Sequence, residues 1–305
     1  MKKWILKAII QKTISWLPAS QNLNFLFQKY ITKGVRLSDQ YFTDKLGHAA
    51  DHLTYFKKHG KTNGFKVLEL GSGWYPVVPV ALFLAGAEEV VSIDVSSLMK
   101  RKGILETIRQ FVNWHDQSRL DIIKPHIQKE RLARLRELHD SDLSENDLLQ
   151  ALHLTLKVTD ARDTGFADDH YDLVCSNNTF EHIYPHILKP IIGEFQRIVK
   201  PGGIMSHFID MSDHFAHLDD SISIYNFLQY SPQQWTRIDN SVQPQNRLRL
   251  KDYRHMYQEL GISIIEEKTR PGSIETVQYA KLHSDYAAYT TEEIAISHAH
   301  LVSTK

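Results

Sequence analysis

An α/β fold built on a doubly wound, mostly parallel sheet is predicted by three features of this 305-residue sequence. From Phe65 onward, short strand-like apolar runs alternate with helical patterns, which places helices on both faces of a sheet. The first such run, Lys66–Leu70, passes directly into Gly71-Ser72-Gly73 and then into a helix. The composition, 42% hydrophobic and 24% charged, is that of a globular chain that buries a core without staples.

The elements follow in order. Val77–Gly86 reads as a helix, with Pro76 at its first position and Gly86 as its stop. Val90–Asp94 is a second strand and Ser96–Val112 a helix. Leu154–Val158 and Tyr171–Ser176 are two more strands, and Leu188–Val199 a helix closed by Pro201-Gly202-Gly203. Ile204–Met211 is a fifth strand. Leu250–Leu260 is a helix capped by Gly261. Ile262–Glu267 and Ile274–Lys281 read as two closing strands joined by Arg270-Pro271-Gly272-Ser273, too close for a helical crossover, so that they pair antiparallel or one inserts beside the other from a short turn.

Residues 1–60 read as a helical lead-in to a domain over residues 61–305. That domain carries a helical insertion at 113–153, where Leu132, Leu135 and Leu138 form a stripe and Ser144 with Asp147 suggests a capping box. Residues 212–249 are polar, aromatic and His-rich. They are too long for a plain connector and are expected to cover an acceptor site, with the insertion helping to roof it. Tyr225, Asn226, Gln229, Tyr230 and Trp235 give this segment a lining suited to a sugar or polyol.

At the N-terminus, Lys7, Gln11 and Lys12 interrupt the apolar run that a signal peptide needs, and the run is too short to cross a bilayer. An amphipathic helix remains, with Trp4, Ile5, Ala8, Ile9, Trp16 and Leu17 on one broad face and Lys2, Lys3, Lys7 and Lys12 largely elsewhere. No acid precedes Asp39, whereas seven Lys and Arg do. Packing on the domain or on a second subunit of a homodimer is the expected role. Peripheral contact of residues 1–20 with an anionic membrane is the alternative.

Charge and cysteine content exclude several classes. Lys+Arg 36 and Asp+Glu 36 cancel, which disfavours nucleic acid as a partner, since phosphate binding rests on net positive charge. The single cysteine, Cys175, rules out an intrachain disulfide and a multi-thiolate zinc site, so a reducing, cytoplasmic setting is expected. Cys175 lies in an apolar strand and is expected in the core.

A strand running into Gly-Ser-Gly and a helix is a nucleotide-cofactor turn. Asp94 ends the next strand, where an acid can take both hydroxyls of a ribose. Pro76 stands where a dinucleotide fingerprint would place its third glycine, and it removes a donor that a pyrophosphate would use. In order, Glu69-Leu70-Gly71-Ser72-Gly73, Asp94, Thr159-Asp160-Ala161, Tyr171–Asn177, Glu181-His182-Ile183 and Lys200-Pro201-Gly202-Gly203 resemble the class I S-adenosylmethionine (SAM)-dependent methyltransferases. The resemblance covers about residues 65–211, with Tyr253–Lys281 as the closing helix and strand pair. It implies a seven-stranded Rossmann-like sheet with an antiparallel last strand, and SAM across the tips of strands one to four. Tyr75 replaces a further glycine of the family, so Trp74-Tyr75-Pro76 make the loop bulkier.

Carried over residue by residue, the resemblance gives Gly71 and Gly73 the methionine and ribose. Asp94 takes the ribose hydroxyls, Asp160 and Ala161 the adenine, and Asn177 and Glu69 the methionine ammonium. Methyl transfer is an in-line displacement at an activated carbon, so the protein mainly aligns the nucleophile and excludes water. A hydroxyl or protonated amine acceptor also needs a base near neutrality, and His182 and His214 are the candidates. His207, Asp210, Asp213 and His217 cluster with His214 at and after the fifth strand. Acids and histidines in one loop more often share hydrogen bonds than hold a metal, so none is expected.

The expected activity is methyl transfer from SAM to oxygen or nitrogen of a small-molecule or glycan/lipid-linked acceptor. The alternatives are a non-catalytic SAM- or nucleotide-binding protein and an NAD(P)-dependent oxidoreductase. Ser176-Asn177-Asn178-Thr179 lacks the Pro-Pro-aromatic signature of the amino-methylating DNA and glutamine enzymes.

Overall fold

The computed structural model describes residues 2–18, 20, 23–24, 27, 36–60 and 64–305. The chain divides into two compact units, residues 36–177, 190–207 and 302–305 forming one and residues 1–35, 178–189 and 208–301 the other. The strands are β1 (Lys66–Leu70), β2 (Glu89–Asp94), β3 (Leu154–Val158), β4 (Tyr171–Asn177), β5 (Val199–Asp210), β6 (Ile264–Pro271) and β7 (Ile296–Thr304). They form one sheet in the order β3-β2-β1-β4-β5-β7-β6. It is mostly parallel, with the last strands antiparallel, as the sequence predicts.

The first unit is built around β1 to β4. β1 and β4 are almost wholly buried and read as apolar runs, as interior parallel strands do. Helix α1 (Lys3–Ser15) belongs to the second unit; α2 (Asp39–His59) starts at Ser38, whose hydroxyl accepts from the Tyr41 N–H. α2 buries Phe42, Leu46, Ala49, Leu53 and Phe56 in the sheet core. Phe42 meets Phe111 and Trp114 of α4 (Arg101–Asp116) edge-on, at centroid distances of 4.9 and 4.7 Å. α3 (Val77–Leu84) lies between them in the chain and is buried along its whole length.

The insertion forms α5 (Lys129–Leu138) and α6 (Glu145–Ala151), and the Ser144 hydroxyl accepts from Asp147 N–H as its cap. Leu135, Leu138, Leu148, Leu149 and Leu152 join the same core as the sheet helices. Burial of each leucine contributes roughly 1.5–3 kcal/mol. The leucine stripe thus packs into the core.

Three sequence expectations shift. The second crossover helix starts at Arg101, not Ser96, because the Asp94 carboxylate takes the Ser96 N–H and bends residues 95–100 around it. Pro76 is the N-cap of α3, its carbonyl accepting from Val80 N–H at 2.9 Å, and Val77 is the first helical residue. Ile274–Lys281 is not a strand. The Ser273 hydroxyl accepts from Thr276 N–H and starts a short helix, Ile274–Gln278, and the closing strand is β7. Cys175 is fully buried, as expected.

In the second unit, α7 (Pro185–Ile198, shared with the first), α8 (Pro232–Ile238), α9 (Leu250–Glu259), α10 (Ile274–Gln278) and α11 (Thr291–Ala295) complete the helices described by name. Its core joins Trp4 and Ala8 of α1 to Phe215, Tyr225, Phe227, Leu228 and Trp235. Tyr225 and Trp235 are therefore core residues, not lining. The Tyr225 hydroxyl donates to Ala295 O at 2.9 Å and the Trp235 indole to Gln245 O at 3.0 Å.

α1 packs inward through part of the predicted apolar face, Trp4, Ile5 and Ala8, together with Gln11, whereas Ile9, Trp16 and Leu17 of that face, and Leu6, are exposed. Lys12 donates to Thr236 O and Asp239 O, the carbonyl end of α8, where a cation is favoured. Among the described residues no helix is long and apolar enough to cross a membrane.

Candidate functional site

The register of β3, β2, β1 and β4 lines up the expected cofactor residues along one sheet edge. Leu70 pairs with Ile93 and Ser176, and Asp94 with Val158, so Gly71, Asp94, Thr159 and Asn177 all follow aligned strand ends. Gly71 and Gly73 adopt φ of 95° and 57°, the left-handed region where a side chain is strained. The turn therefore brings bare backbone to the edge.

Asp94 shapes this turn. Its carboxylate accepts from Ser72 N–H and Ser96 N–H, each at 3.0 Å. Burial pushes its pKa up, and the backbone amides of Ser96, Ser72, Val95 and Gly73 partly offset the rise. Glu69 is buried, and the Ser92 hydroxyl donates to its carboxyl at 2.7 Å. Ser72 Oγ lies 3.0 Å from Ser92 Oγ. Burial pushes Glu69 up to about 8, against the pull of Lys45.

Asn177 is held from α2: its side-chain oxygen accepts from His52 Nε2 at 2.9 Å, and His52 Nδ1 lies 2.7 Å from Ser206 Oγ. With Nε2 carrying the proton, Nδ1 accepts from the serine. His52 is fully buried and fixes Asn177 at the strand tip. The sequence reading missed it, although His48 and His52 stand four apart on the buried face of one helix. Asp160 is half exposed and is gripped by the Arg162 guanidinium and backbone N–H, which hold it below the usual carboxylate range. Ala161 beside it is buried. His207 is likewise in this unit, fully buried, with Nδ1 2.8 Å from Ser176 Oγ and its ring stacked on Phe195. It is a core residue and does not join the histidine cluster predicted for it.

The second unit brings His182 and His214 together, with ring centroids 4.9 Å apart and nearly perpendicular planes. His182 Nδ1 lies 2.6 Å from Pro244 O. A carbonyl only accepts, so Nδ1 carries a proton. His214 Nε2 lies 3.3 Å from Asp210, and His298 Nε2 reaches the other oxygen of the same carboxylate at 3.5 Å. Burial alone would raise Asp210, but hydrogen bonding and charge from His214, aided by His298 and Ser212, hold it well below the usual range. His217 stacks on His214 at 5.3 Å, and burial lowers its pKa.

Lys7 of α1 reaches His214 O at 3.5 Å, and burial lowers it to about 8 despite Asp213. Asp213 itself accepts from Phe215 N–H and Asn226 Nδ2, and burial raises it. Glu181 and His298 complete this group and were not among the predicted site residues. Glu181 was quoted only as part of a motif, and His298 lies beyond the segment read as chemistry. A separate groove of about 570 Å³, lined by Phe83, Arg131, Arg134 and His153 among others, lies where β3 begins, at the edge opposite the glycine turn.

Comparison with known proteins agrees with these observations. The family model described as "Methyltransferase domain" matches residues 110–206. Among solved structures, a chain of the complex between the Haloferax volcanii Trm112 methyltransferase activator and a methyltransferase is 15% identical. It covers 87% of this chain and 92% of its own, with a TM-score of 0.45. A SAM-dependent methyltransferase from Methanosarcina mazei is 15% identical over 82% of this chain and 96% of its own, TM-score 0.44. One from Mesorhizobium loti is 13% identical over 85% and 100%, TM-score 0.45. These superpositions are loose, and the fold rests on the strand order itself. With that order, the glycine turn and the family match over residues 110–206, the chain has the seven-stranded Rossmann-like sheet of the SAM-dependent methyltransferases and is similar to them.

Proposed function

We propose that this enzyme moves the methyl of SAM to an oxygen or nitrogen of a small-molecule or glycan/lipid-linked acceptor, and that His182 and His214 take up the acceptor's proton. The observation that carries this reading is the meeting of His182 and His214, ring centroids 4.9 Å apart, with the His182 ring aimed by its Nδ1–H on Pro244 O. His214, backed by Asp210, is the partner that can share the proton. Glu69, Gly71, Gly73, Asp94, Asp160, Ala161 and Asn177 hold the cofactor in this reading. Residues 212–249 cover the acceptor. SAM is already activated, so alignment and one proton transfer are all that the protein must supply.

Turnover of isotope-labelled SAM with extract from the native host, read by mass spectrometry, tests the reaction. A labelled product and an acidic limb in the pH–rate profile near a histidine pKa, about 6–7, are expected. No labelled product from a protein that binds SAM would favour the non-catalytic reading.

A second reading concerns α1. Its exposed Leu6, Ile9, Trp16 and Leu17 lie with exposed Lys2 and Lys3, and no acid precedes Asp39. This supports peripheral contact with an anionic membrane. Co-sedimentation with anionic vesicles at low salt tests it, and a concentration-dependent dimer without vesicle binding would assign the face to a second copy.

A further inference from the structure

We propose that Glu181, His182 and His214 form a site for one divalent transition-metal cation. One donor atom from each lies within 4.8 Å of the other two, close enough for small side-chain adjustments to bring all three onto one ion. Glu181 is 4% and His214 8% exposed, so the cluster is not a chance meeting of surface charges. Two imidazoles and one carboxylate make a donor set suited to iron, manganese, cobalt or zinc. Calcium and magnesium prefer all-oxygen sets.

The surroundings are those that metal-binding histidines need. A ligating histidine is aimed by a carbonyl or carboxylate on its other ring nitrogen. Pro244 O serves His182 in this way, and Asp210 stands 3.3 Å from a ring nitrogen of His214. Asp210 is itself fixed by Ser212 N–H at 2.8 Å and faced by His298. The backbone of each ligand is also tied down. Asn246 N–H donates to Glu181 O, His182 N–H to Thr179 O, and His214 N–H to the Gln245 side chain at 3.0 Å. Three protein ligands leave coordination positions open, and an acceptor oxygen placed there would become more acidic. That last role, unlike the binding itself, rests on the proposed methyl transfer. In the loaded site the cation takes over from the two histidines the task of easing the acceptor's proton away.

Calorimetry with zinc, and visible absorption with cobalt, on chelator-treated full-length protein tests the site. One cation per chain is expected, with the intense d–d bands of a low-symmetry cobalt site. Affinity should fall at least 100-fold in Glu181→Gln and His182→Asn, and 10–100-fold in Asp210→Asn, which touches only the outer support. His255→Asn, on an exposed histidine, controls for adventitious binding and should match wild type. Absence of saturable binding to the folded wild type overturns the proposal, as does wild-type affinity in Glu181→Gln and His182→Asn. If those two variants unfold, the Asp210→Asn affinity decides, and a value equal to wild type overturns the site. SAM calorimetry is run on the same samples. Lost cation binding with intact SAM binding strikes this proposal alone, and lost SAM binding in the wild type strikes the methyltransferase reading.

Discussion

At the glycine turn the acids face backbone amides and hydroxyls; at the His182–His214 cluster they face imidazoles. Asp94 accepts from two peptide N–H groups and Glu69 from Ser92, all placed by the ends of β1 and β2. Asp210 instead stands against His214 and His298, and its carboxyl is driven the opposite way from those of Asp94 and Glu69. Fixed amides and hydroxyls around Asp94 and Glu69 make a rigid array in which burial disfavours the charged carboxylates. A carboxylate locked in its charged form beside imidazoles suits groups that gain and lose protons. In the proposed reading the two regions divide the work, one holding SAM and one handling the acceptor.

The largest effect that could break this division is on rate. His182→Asn or His214→Asn should lower kcat by roughly 10²–10⁴-fold. Each variant is to be measured alone across pH 5–9. Loss of both rate and acidic limb identifies the base, and wild-type kcat in both would mean that alignment alone suffices. On the cofactor side, Asp94→Ala leaves two ribose hydroxyls without their acceptor, a cost on the order of 1.5–3 kcal/mol. SAM affinity by calorimetry should fall more than tenfold, and an unchanged value in the folded variant would remove Asp94 from the site.

Glu69 sharpens the comparison. Its pKa in the folded protein is about 8, above its ordinary value of 4.5. A raised pKa gives stability that is full below 4.5 and is lost as pH climbs through about 8. Denaturant titrations should show Glu69→Gln gaining on wild type between pH 5 and pH 9, by a few kcal/mol at the order-of-magnitude level. Cationic SAM should favour the ionised carboxyl and expel its proton. Binding enthalpies near pH 7 in buffers of different ionisation heat should then diverge. The smallest effect expected is at α1, where Trp16→Ser on the exposed face should weaken vesicle binding a few-fold and leave SAM binding alone.

The sequence exposes the cofactor edge better than the acceptor region, and the reason is locality. A strand, two glycines at positive φ and an acid at the next strand end are set by residues near one another in the chain. Asn177 is legible in the same way, but its support, His52, comes from a helix more than a hundred residues earlier, which no local pattern announces. The closing strand is missed because Ile274–Lys281 has strand-like residues while Ser273 is a good N-cap, and the cap wins. The true strand, Ile296–Thr304, carries two histidines and three polar hydroxyl residues, yet most of it is buried. The apolar face of α1 is buried only at Trp4, Ile5 and Ala8, because Lys7 and Lys12 also find carbonyls on their own unit, which a simple count of apolar residues does not weigh.

The division of labour is tested most directly by SAM calorimetry on the His182→Asn/His214→Asn double variant beside Asp94→Ala. The account predicts wild-type SAM affinity in the double variant and a more than tenfold loss in Asp94→Ala. A double variant that loses SAM as severely as Asp94→Ala would contradict it, placing both histidines on the cofactor side.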